Sequence, residues 1–365
     1  MNSGYWKNAS QLFIEEKPIK PMGRIQNKIE QLKFAIYCYK KGQDGRFVKT
    51  VKQLSDKNNL IYVETYGNEQ NSDPVFFIDM EESHSGFFAE HNRVLALLYF
   101  ADKYDMKPVV KHHEGYCYAE KHPVNGTTNP FEYYFEQPAG IGLKELKTYK
   151  RVFRSRKENS YEVNKLCEDP NGYTRSEQYL NEMARITAKY IRLNSIVKEK
   201  MDREMGALLG NAKALAVHIR GTDFKQNFNG HPVSVSTDEY LETTVQVFEK
   251  GAYEKVFLAT DDSEAIEKYR KQFGDKLVFY NDVVRSDGDD TVMHSKVQRE
   301  NHHYLLGYEV LRDMYTLAAC DGLIAGLSQV SYAARIQKKS VGKEYGDLVI
   351  LDKGINYHKK NNCPS

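Results

Sequence analysis

The clearest fold signal in the chain is the stretch ALAVHIRGTD, residues 214–223. Its first six residues are apolar apart from His218, which is typical of a buried strand, and polar residues follow directly. The next signal is STDE at residues 236–239, a capping-box pattern that starts a helix, which Gly251 ends. The apolar run VFLA at residues 256–259 then predicts a second strand. A strand, a capped helix and another strand in this order predict one unit of a parallel α/β sheet.

The alternation of strands and helices continues to the end of the second half. Asp261, Asp262 and Ser263 form a cap for a further helix, and a later helix is expected at residues 304–320. Apolar runs predict three more strands, at residues 277–280, 322–325 and 348–351.

The first half has a weaker form of the same pattern. A strand at residues 75–79, a glycine-bearing turn, a helix at 88–104 and a strand at 107–110 form one βαβ unit. Residues 40–75 are polar and ambiguous, and a long helical region at about 176–209 separates the two halves. We therefore expect an α/β fold of two facing Rossmann-like domains with parallel sheets and a cleft between them.

Composition excludes several classes of protein. The 365 residues are enough for two domains, and 41% hydrophobic with 28% charged residues is ordinary globular usage. The 52 basic residues exceed the 50 acidic ones by only two, so the chain lacks the positive charge typical of nucleic-acid binding.

Cysteine usage and the chain start favour a cytoplasmic location. Five cysteines lie far apart without a C-x-x-C pair, which predicts a reducing compartment and no zinc ribbon. The first residues lack the layout of a signal peptide, and no run of about 18 apolar residues predicts a transmembrane segment.

Polar residues follow the strands of the second half, where parallel sheets bind ligands. They are His218, Arg220, Thr222 and Asp223 after the first strand, Asp261 and Asp262 after the second, and Ser328 and Gln329 after a later one. The guanidinium of Arg220 is permanently charged, and its paired N–H donors could hold a diphosphate. Ser328 and the helix start beside it could bind further phosphate oxygens, and Asp313 could accept hydrogen bonds from a guanine edge.

Each of these residues also has a purely structural interpretation. Arg220 and Asp223 could form an ion pair, and Asp261 or Asp262 could be only a helix cap. His218 could be a core histidine with satisfied hydrogen bonds. The placement of the whole set at the strand ends of one sheet favours a binding site over these separate alternatives.

Four segments together resemble motifs of the fucosyltransferase superfamily. HIRGTD at 218–223 resembles the H-V-R-R-T-D motif of α1,6-fucosyltransferases and the rhizobial nodulation fucosyltransferase. HPVSVSTDEY at 231–240 is similar to the family's H-P-x-E-E-Y segment, and VFLATDD at 256–262 to its V-Y-L-A-T-D-D strand. The stretch from Asp313 to Val330 resembles D-x-x-x-L-x-x-A-D…S-S-Q-V, with one residue fewer. The four segments occur in the family's order.

The resemblance implies a GT-B glycosyltransferase that transfers fucose from GDP-fucose to an oligosaccharide or polysaccharide, with inversion and without a metal cofactor. It implies that Arg220 holds the β-phosphate and that Asp313 reads guanine. The other implied donor-binding residues are His218, Thr222, Tyr240, Asp261, Asp262, Ser328 and Gln329. The implied domains are residues 1–205 for the acceptor and 206–345 for the donor, with a tail at 346–365 that packs on the first domain.

One departure from the family concerns the catalytic base. The α1,6-enzymes have a glutamate shortly after the first motif, whereas residues 224–230 here contain no carboxylate, and Gly221 replaces the motif's second arginine. The base is then Asp223, His231 or a residue of the first domain, or transfer is dissociative, as in some protein O-fucosyltransferases. The alternatives are another GDP-sugar on the same scaffold, or a catalytically silent adaptor that binds nucleotide or glycan.

The acidic run DGDD at residues 287–290 is the strongest candidate for a metal site. An EF-hand loop starting at Asp287 needs glutamate at its twelfth position, where Gln298 stands. We therefore interpret the run as a solvated loop and expect no metal.

Overall fold

A computed structural model describes residues 61–64, 73–80, 85–149, 152–155, 176–220, 230–285 and 299–357, with residues 29, 32, 33, 36, 71 and 297. Thr222, Asp223 and the run at 287–290 lie outside the described residues. Within the described part, the chain forms two β-sheets, one in each half.

The first sheet has the strand order β1-β4-β2-β3. Its strands are β1 (Ile61–Glu64), β2 (Val75–Met80), β3 (Lys107–His112) and β4 (Val152–Ser155). β2 pairs in parallel with β3 and β4, and β1 adds to the edge antiparallel to β4. β2 is buried at every position, as its continuous apolar sequence predicts for a central strand covered on both faces.

The second sheet is parallel throughout and has the order β7-β6-β5-β8-β9. Its strands are β5 (Ala214–Ile219), β6 (Lys255–Thr260), β7 (Leu277–Val278), β8 (Gly322–Gly326) and β9 (Asp347–Leu351). β5 lies at the centre, between β6 and β8. The strand order changes direction at β5, which is where open α/β sheets leave a crevice at their carboxyl edge.

Seven α-helices lie wholly within the described residues. They are α1 (Phe87–Lys103), α2 (Glu177–Tyr190), α3 (Ser195–Leu209), α4 (Thr237–Lys250), α5 (Ser263–Phe273), α6 (His302–Ala319) and α7 (Gln329–Ser340). The capping box predicted before α4 is present, because Ser236 and Glu239 bond each other's backbone N–H groups.

The α/β class with a sheet in each half, predicted from the sequence, is confirmed. Three local features differ. β1 and β4 extend the first sheet from short segments that the sequence pattern did not identify, and β7 covers only the first two residues of its predicted strand. The helical region at 176–209 is two helices, because residues 192–194 bond the backbone of residues 134–136 and Asn194 caps α3.

One hydrophobic core runs through both halves of the molecule. The set of buried apolar side chains that contains Phe76 and Leu97 of the first half continues to Ala216 and Leu323 of the second. Polar contacts cross the same boundary: the Tyr134 hydroxyl donates to the Tyr304 carbonyl at 2.9 Å. The two sheets are therefore held in a defined relation by packing as well as by the connecting helices.

The described part of the tail lies against the second half. The backbone of Asn356 bonds Gly230 and His231, and the Val233 N–H donates to the Gly354 carbonyl. The predicted contact of the tail with the first domain, like the predicted domain boundaries, stays a prediction. Among the described helices, none combines the length and apolar composition that crossing a bilayer requires.

Candidate functional site

The carboxyl edge of the second sheet brings together residues from two neighbouring strands and a loop. Arg220 directly follows β5, and Leu327 and Ser328 directly follow β8. Residues 232–235 and Tyr240 close the third side. The pocket between them is lined by His218, Arg220, Pro232, Val233, Ser234, Val235, Tyr240, Gly326, Leu327 and Ser328. Its free volume is about 20 Å³, enough for one water molecule.

His218 is a buried and uncharged member of this pocket. Only 8% of the residue is exposed, and its Nδ1 lies 3.3 Å from the Ser328 hydroxyl. Burial, helped by the nearby charge of Arg220, lowers the pKa of His218 to about 3. The imidazole is therefore neutral at physiological pH and adds no positive charge to the site.

Ser328 caps α7 and fixes the start of that helix. Its hydroxyl accepts a hydrogen bond from the Ser331 N–H at 3.0 Å, and the Ser331 hydroxyl returns a bond with the Ser328 N–H at 3.2 Å. Both residues are 2% exposed. Because a helix N-terminus carries partial positive charge, α7 adds to the positive potential that Arg220 creates at this edge.

Gln329, the first residue of α7, contacts the first half of the chain. The Asn92 side-chain amide donates to Gln329 Oε1 at 2.8 Å. Asn92 lies on α1 and is 4% exposed. The sequence pattern of α1 did not predict this contact with Gln329. Glu90, His91 and Asn92 are three consecutive polar residues, a pattern typical of an exposed stretch, but all three are buried.

Tyr118 is a second contribution of the first half that the sequence did not reveal. Burial raises the pKa of its phenol, and the charge of Arg220 opposes that rise, so the two groups lie within electrostatic range. The Tyr118 hydroxyl also accepts from the N–H of Phe87, at the start of α1. Arg220, which is half-buried, therefore lies near the boundary between the halves.

Tyr240 packs closely on β8. It is 4% exposed, and a Cβ atom on Gly326 would lie 2.4 Å from its hydroxyl oxygen. Glycine at position 326 is thus what allows the ring of Tyr240 to form a wall of the pocket. The apolar pattern that predicts β8 does not reveal that position 326 requires glycine.

Asp262, the second of the two aspartates after β6, has a local role. Asp262 caps α5 by accepting from the Glu264 N–H at 2.9 Å, and its own N–H donates to the Thr260 hydroxyl at 3.1 Å. Neither Asp261 nor Asp262 lines the pocket around Arg220. The interpretation of Asp262 as a helix cap is confirmed.

Asp313 lies among charged groups on α6 and the loop after β7. Burial raises the pKa of its carboxyl from 3.8 to about 7, against the opposing charges of Arg312 and Arg285. Glu309 and Asp282 raise it further. Asp313 does not line the pocket around Arg220.

His231 lies at the start of the loop segment that closes the pocket. It precedes the lining residue Pro232, and its carbonyl accepts from the Asn356 N–H at 2.8 Å. Among the described residues, no group of three or more His, Cys, Asp and Glu side chains is arranged to hold a metal ion.

No protein-family model and no curated protein matches the chain. Among solved structures, it is similar to NodZ alpha-1,6-fucosyltransferase soaked with GDP-fucose, at 17% identity and a TM-score of 0.44, over 73% of this chain and 93% of that one. It is similar to fucosyltransferase NodZ from Bradyrhizobium, at 16% identity and 0.47, over 79% and 98%. It is also similar to POFUT1 in complex with GDP-fucose, at 12% identity and 0.44, over 78% and 99%. Solved fucosyltransferases are thus among the structures this chain is similar to, as its motifs led us to expect.

Proposed function

We propose that this protein is a glycosyltransferase that transfers fucose from GDP-fucose to a hydroxyl group of an oligosaccharide or polysaccharide, with inversion and without a metal ion. The observation that carries the proposal is the grouping of Arg220 with His218, Tyr240 and Ser328 at the carboxyl edge of a parallel sheet. The four sequence motifs between residues 214 and 335 support GDP-fucose as the donor.

Arg220 supplies the charge that the reaction requires. When the bond between the fucose anomeric carbon and the β-phosphate oxygen breaks, the electron pair leaves with GDP and negative charge grows on that oxygen. A guanidinium stays protonated and can donate two parallel hydrogen bonds to a phosphate. Its charge and the N-terminus of α7 would both stabilise this leaving group.

The donor is much larger than the free space inside the pocket. We therefore place the diphosphate at the mouth of the pocket, beside Arg220 and the start of α7, with the sugar toward the first half and Tyr118. In this arrangement the neutral His218 packs under the phosphates without adding charge. Its partner Ser328 holds the imidazole in one orientation.

The acceptor hydroxyl attacks the anomeric carbon and gives up its proton. We assign the proton acceptor to the segment that joins β5 to α4, which contains Asp223 and His231. His231 is the described member of this pair. Its carbonyl accepts a hydrogen bond from the N–H of Asn356 in the tail. Asp313 reads the guanine edge in its carboxylate form, which predominates above a pH of about 7.

The test is a nucleotide-release assay. The protein is incubated with GDP-fucose, GDP-mannose or a UDP-sugar, each with EDTA, and release of the nucleoside diphosphate is followed. We expect slow release of GDP from GDP-fucose alone, accelerated by a glycan acceptor. Loss of activity in EDTA would contradict the metal-free mechanism, release from GDP-mannose alone would change the donor, and GDP binding without turnover on any glycan would favour the silent adaptor.

A further inference from the structure

Charged side chains cluster between helix α6 and the loop after β7, and most of them are paired. Arg312 donates to Glu204 and Asp282. Arg299 donates to Glu309 at 2.6 Å. These pairs offset the cost of holding charges partly away from water. Two further members of the same cluster are not paired in this way.

The two remaining members are Arg285 and Asp313, which are both half-buried. Each lies within electrostatic range of the other, but neither forms an ion pair among the residues that the structure describes. The carboxylate of Asp313 also accepts no hydrogen bond from the described residues. Opposite charges that are partly desolvated and stay apart are costly to the fold, and such groups are typical of binding sites.

Uncharged groups hold Arg285 in place. Its terminal nitrogens donate to the carbonyls of Tyr280 at 2.7 Å and Val283 at 3.2 Å, and its guanidinium carbon lies 5.3 Å from the centre of the Phe279 ring. Each terminal nitrogen has a second hydrogen, so the guanidinium can still donate to a ligand. β7 is parallel to β6, and β6 to β5, so the loop that carries Arg285 leaves the sheet at the edge where Arg220 lies.

A guanine base has groups that match both side chains. Its O6 and N7 atoms accept hydrogen bonds, and an arginine donating to them is the commonest specific contact to guanine. The N1–H and the 2-amino group beside O6 donate, and a carboxylate accepts from both. One guanine can therefore bridge a cation and a carboxylate that do not touch each other. Adenine has an amino donor in place of O6, and this donor would face the donors of Arg285.

We propose that Arg285 is a specificity-determining residue of the donor site, which donates to O6 of the guanine base while Asp313 accepts from the neighbouring N1–H. This inference rests on the proposed function, in which Asp313 reads guanine. It makes the loop after β7, as well as α6, responsible for the preference for guanine over adenine.

The nucleotide preference of Arg285→Met tests the proposal. Methionine keeps much of the side-chain volume but has no donor, so affinity for GDP should fall about tenfold while the weaker affinity for ADP stays unchanged. The loss should be as large with inosine diphosphate, which keeps O6 and lacks the 2-amino group. Isothermal titration calorimetry gives the affinities for GDP and inosine diphosphate, and competition against GDP gives that for ADP.

Arg270→Met is the matched control. The guanidinium of Arg270 lies 5.6 Å from the centre of the same Phe279 ring, but it pairs with Glu267 on the exposed face of α5. This variant should leave the affinities for all three nucleotides unchanged. Arg285→Lys keeps a charged donor, and it should recover part of the preference for GDP over ADP.

The inference is overturned if Arg285→Met binds GDP as tightly as the parent, or if it loses affinity for GDP and ADP equally, since an equal loss indicates a structural role. It is also overturned if the loss is absent with inosine diphosphate. The proposed function is judged separately, by the parent and by Arg220→Ala. If the parent binds GDP and Arg220→Ala binds it far more weakly, failure of the Arg285 variants leaves the proposed function standing. If the parent binds no GDP, both are overturned.

Discussion

Two arginines of the second half, Arg312 and Arg220, lie in different surroundings. Arg312 on α6 is 1% exposed, its guanidinium donates to Glu204 at 2.7 Å and to Asp282 at 2.5 Å, and it stacks on the ring of Tyr280 at 3.7 Å. Arg220 is half-buried at the end of β5, with the neutral imidazole of His218 beside it and the phenol of Tyr118 within electrostatic range.

The comparison shows that the position of an arginine in the fold, as well as its residue type, decides what it does. Two carboxylates offset the charge of Arg312, and its hydrogen bonds join α3, α6 and the loop after β7. Such a group holds elements together. Arg220 lies at the end of β5 and lines a pocket with Ser328, which caps helix α7. This is the edge at which open α/β sheets bind ligands.

The largest effect we expect from this comparison is on turnover in Arg220→Lys. Lysine keeps the charge but loses the planar fork, and a lost donor to a developing anion typically costs about 3 kcal/mol, so kcat should fall about a hundredfold or more. The measurement is GDP release at saturating GDP-fucose. Arg270→Lys on the exposed face of α5 is the matched control and should keep the parent rate. A near-normal rate in Arg220→Lys would show that the fork geometry is not needed.

The counterpart is a loss of stability in Arg312→Met. Removing the cation leaves Glu204 and Asp282 beside each other without their shared partner. We expect unfolding free energy to fall by about 2–3 kcal/mol, less than for a fully buried pair because Asp282 is largely exposed. Urea denaturation gives the value, and Arg270→Lys on the exposed face of α5 is the control, which should change it by less than about 0.5 kcal/mol. If Arg312→Met were as stable as Arg270→Lys, the structural role of Arg312 would be wrong.

The sequence predicted those parts of the fold and site that depend on local chemistry. The strands from β5 to β8, the capping box at Ser236 and the cap at Asp262 follow from residues close together in the chain. The pairing of β1 with β4 did not, because each is four residues long and its partner is about 90 residues away. Asn92 was missed for the same reason, because its partner Gln329 is more than 200 residues away in the chain. Tyr118 was missed because it lies about 100 residues before Arg220.

The next prediction concerns Asp313. Its neighbour Arg312 donates hydrogen bonds to Glu204 and Asp282, not to Asp313. With a pKa raised from 3.8 to about 7, the folded state binds one more proton than the unfolded state between these values. Stability should therefore fall as pH rises from about 4 to about 7 and then level off. Asp313→Asn removes this dependence and should be more stable than the parent at pH 8, by on the order of 2 kcal/mol.

Urea denaturation of both proteins at pH 5 and pH 8 measures this difference. Asp238→Asn, at an exposed carboxylate on α4, serves as the control and should follow the parent at both pH values. If the unfolding free energies of Asp313→Asn and the parent changed equally between pH 5 and pH 8, Arg312 or Arg285 would compensate the charge of Asp313.

The smallest expected effect concerns the wall of the Arg220 pocket. In Gly326→Ala the new Cβ would meet the Tyr240 hydroxyl oxygen at 2.4 Å, so the ring must shift, and overpacking of this kind costs about 1 kcal/mol. Adding Tyr240→Phe removes the clashing oxygen. The double variant should therefore recover most of the stability, and thermal denaturation of the two single variants and the double variant measures the coupling. If the losses of stability add, Gly326 is required by the backbone of β8, and Tyr240 can be replaced without reshaping the pocket. If the double variant recovers stability, the two residues form one wall of the pocket beside Arg220.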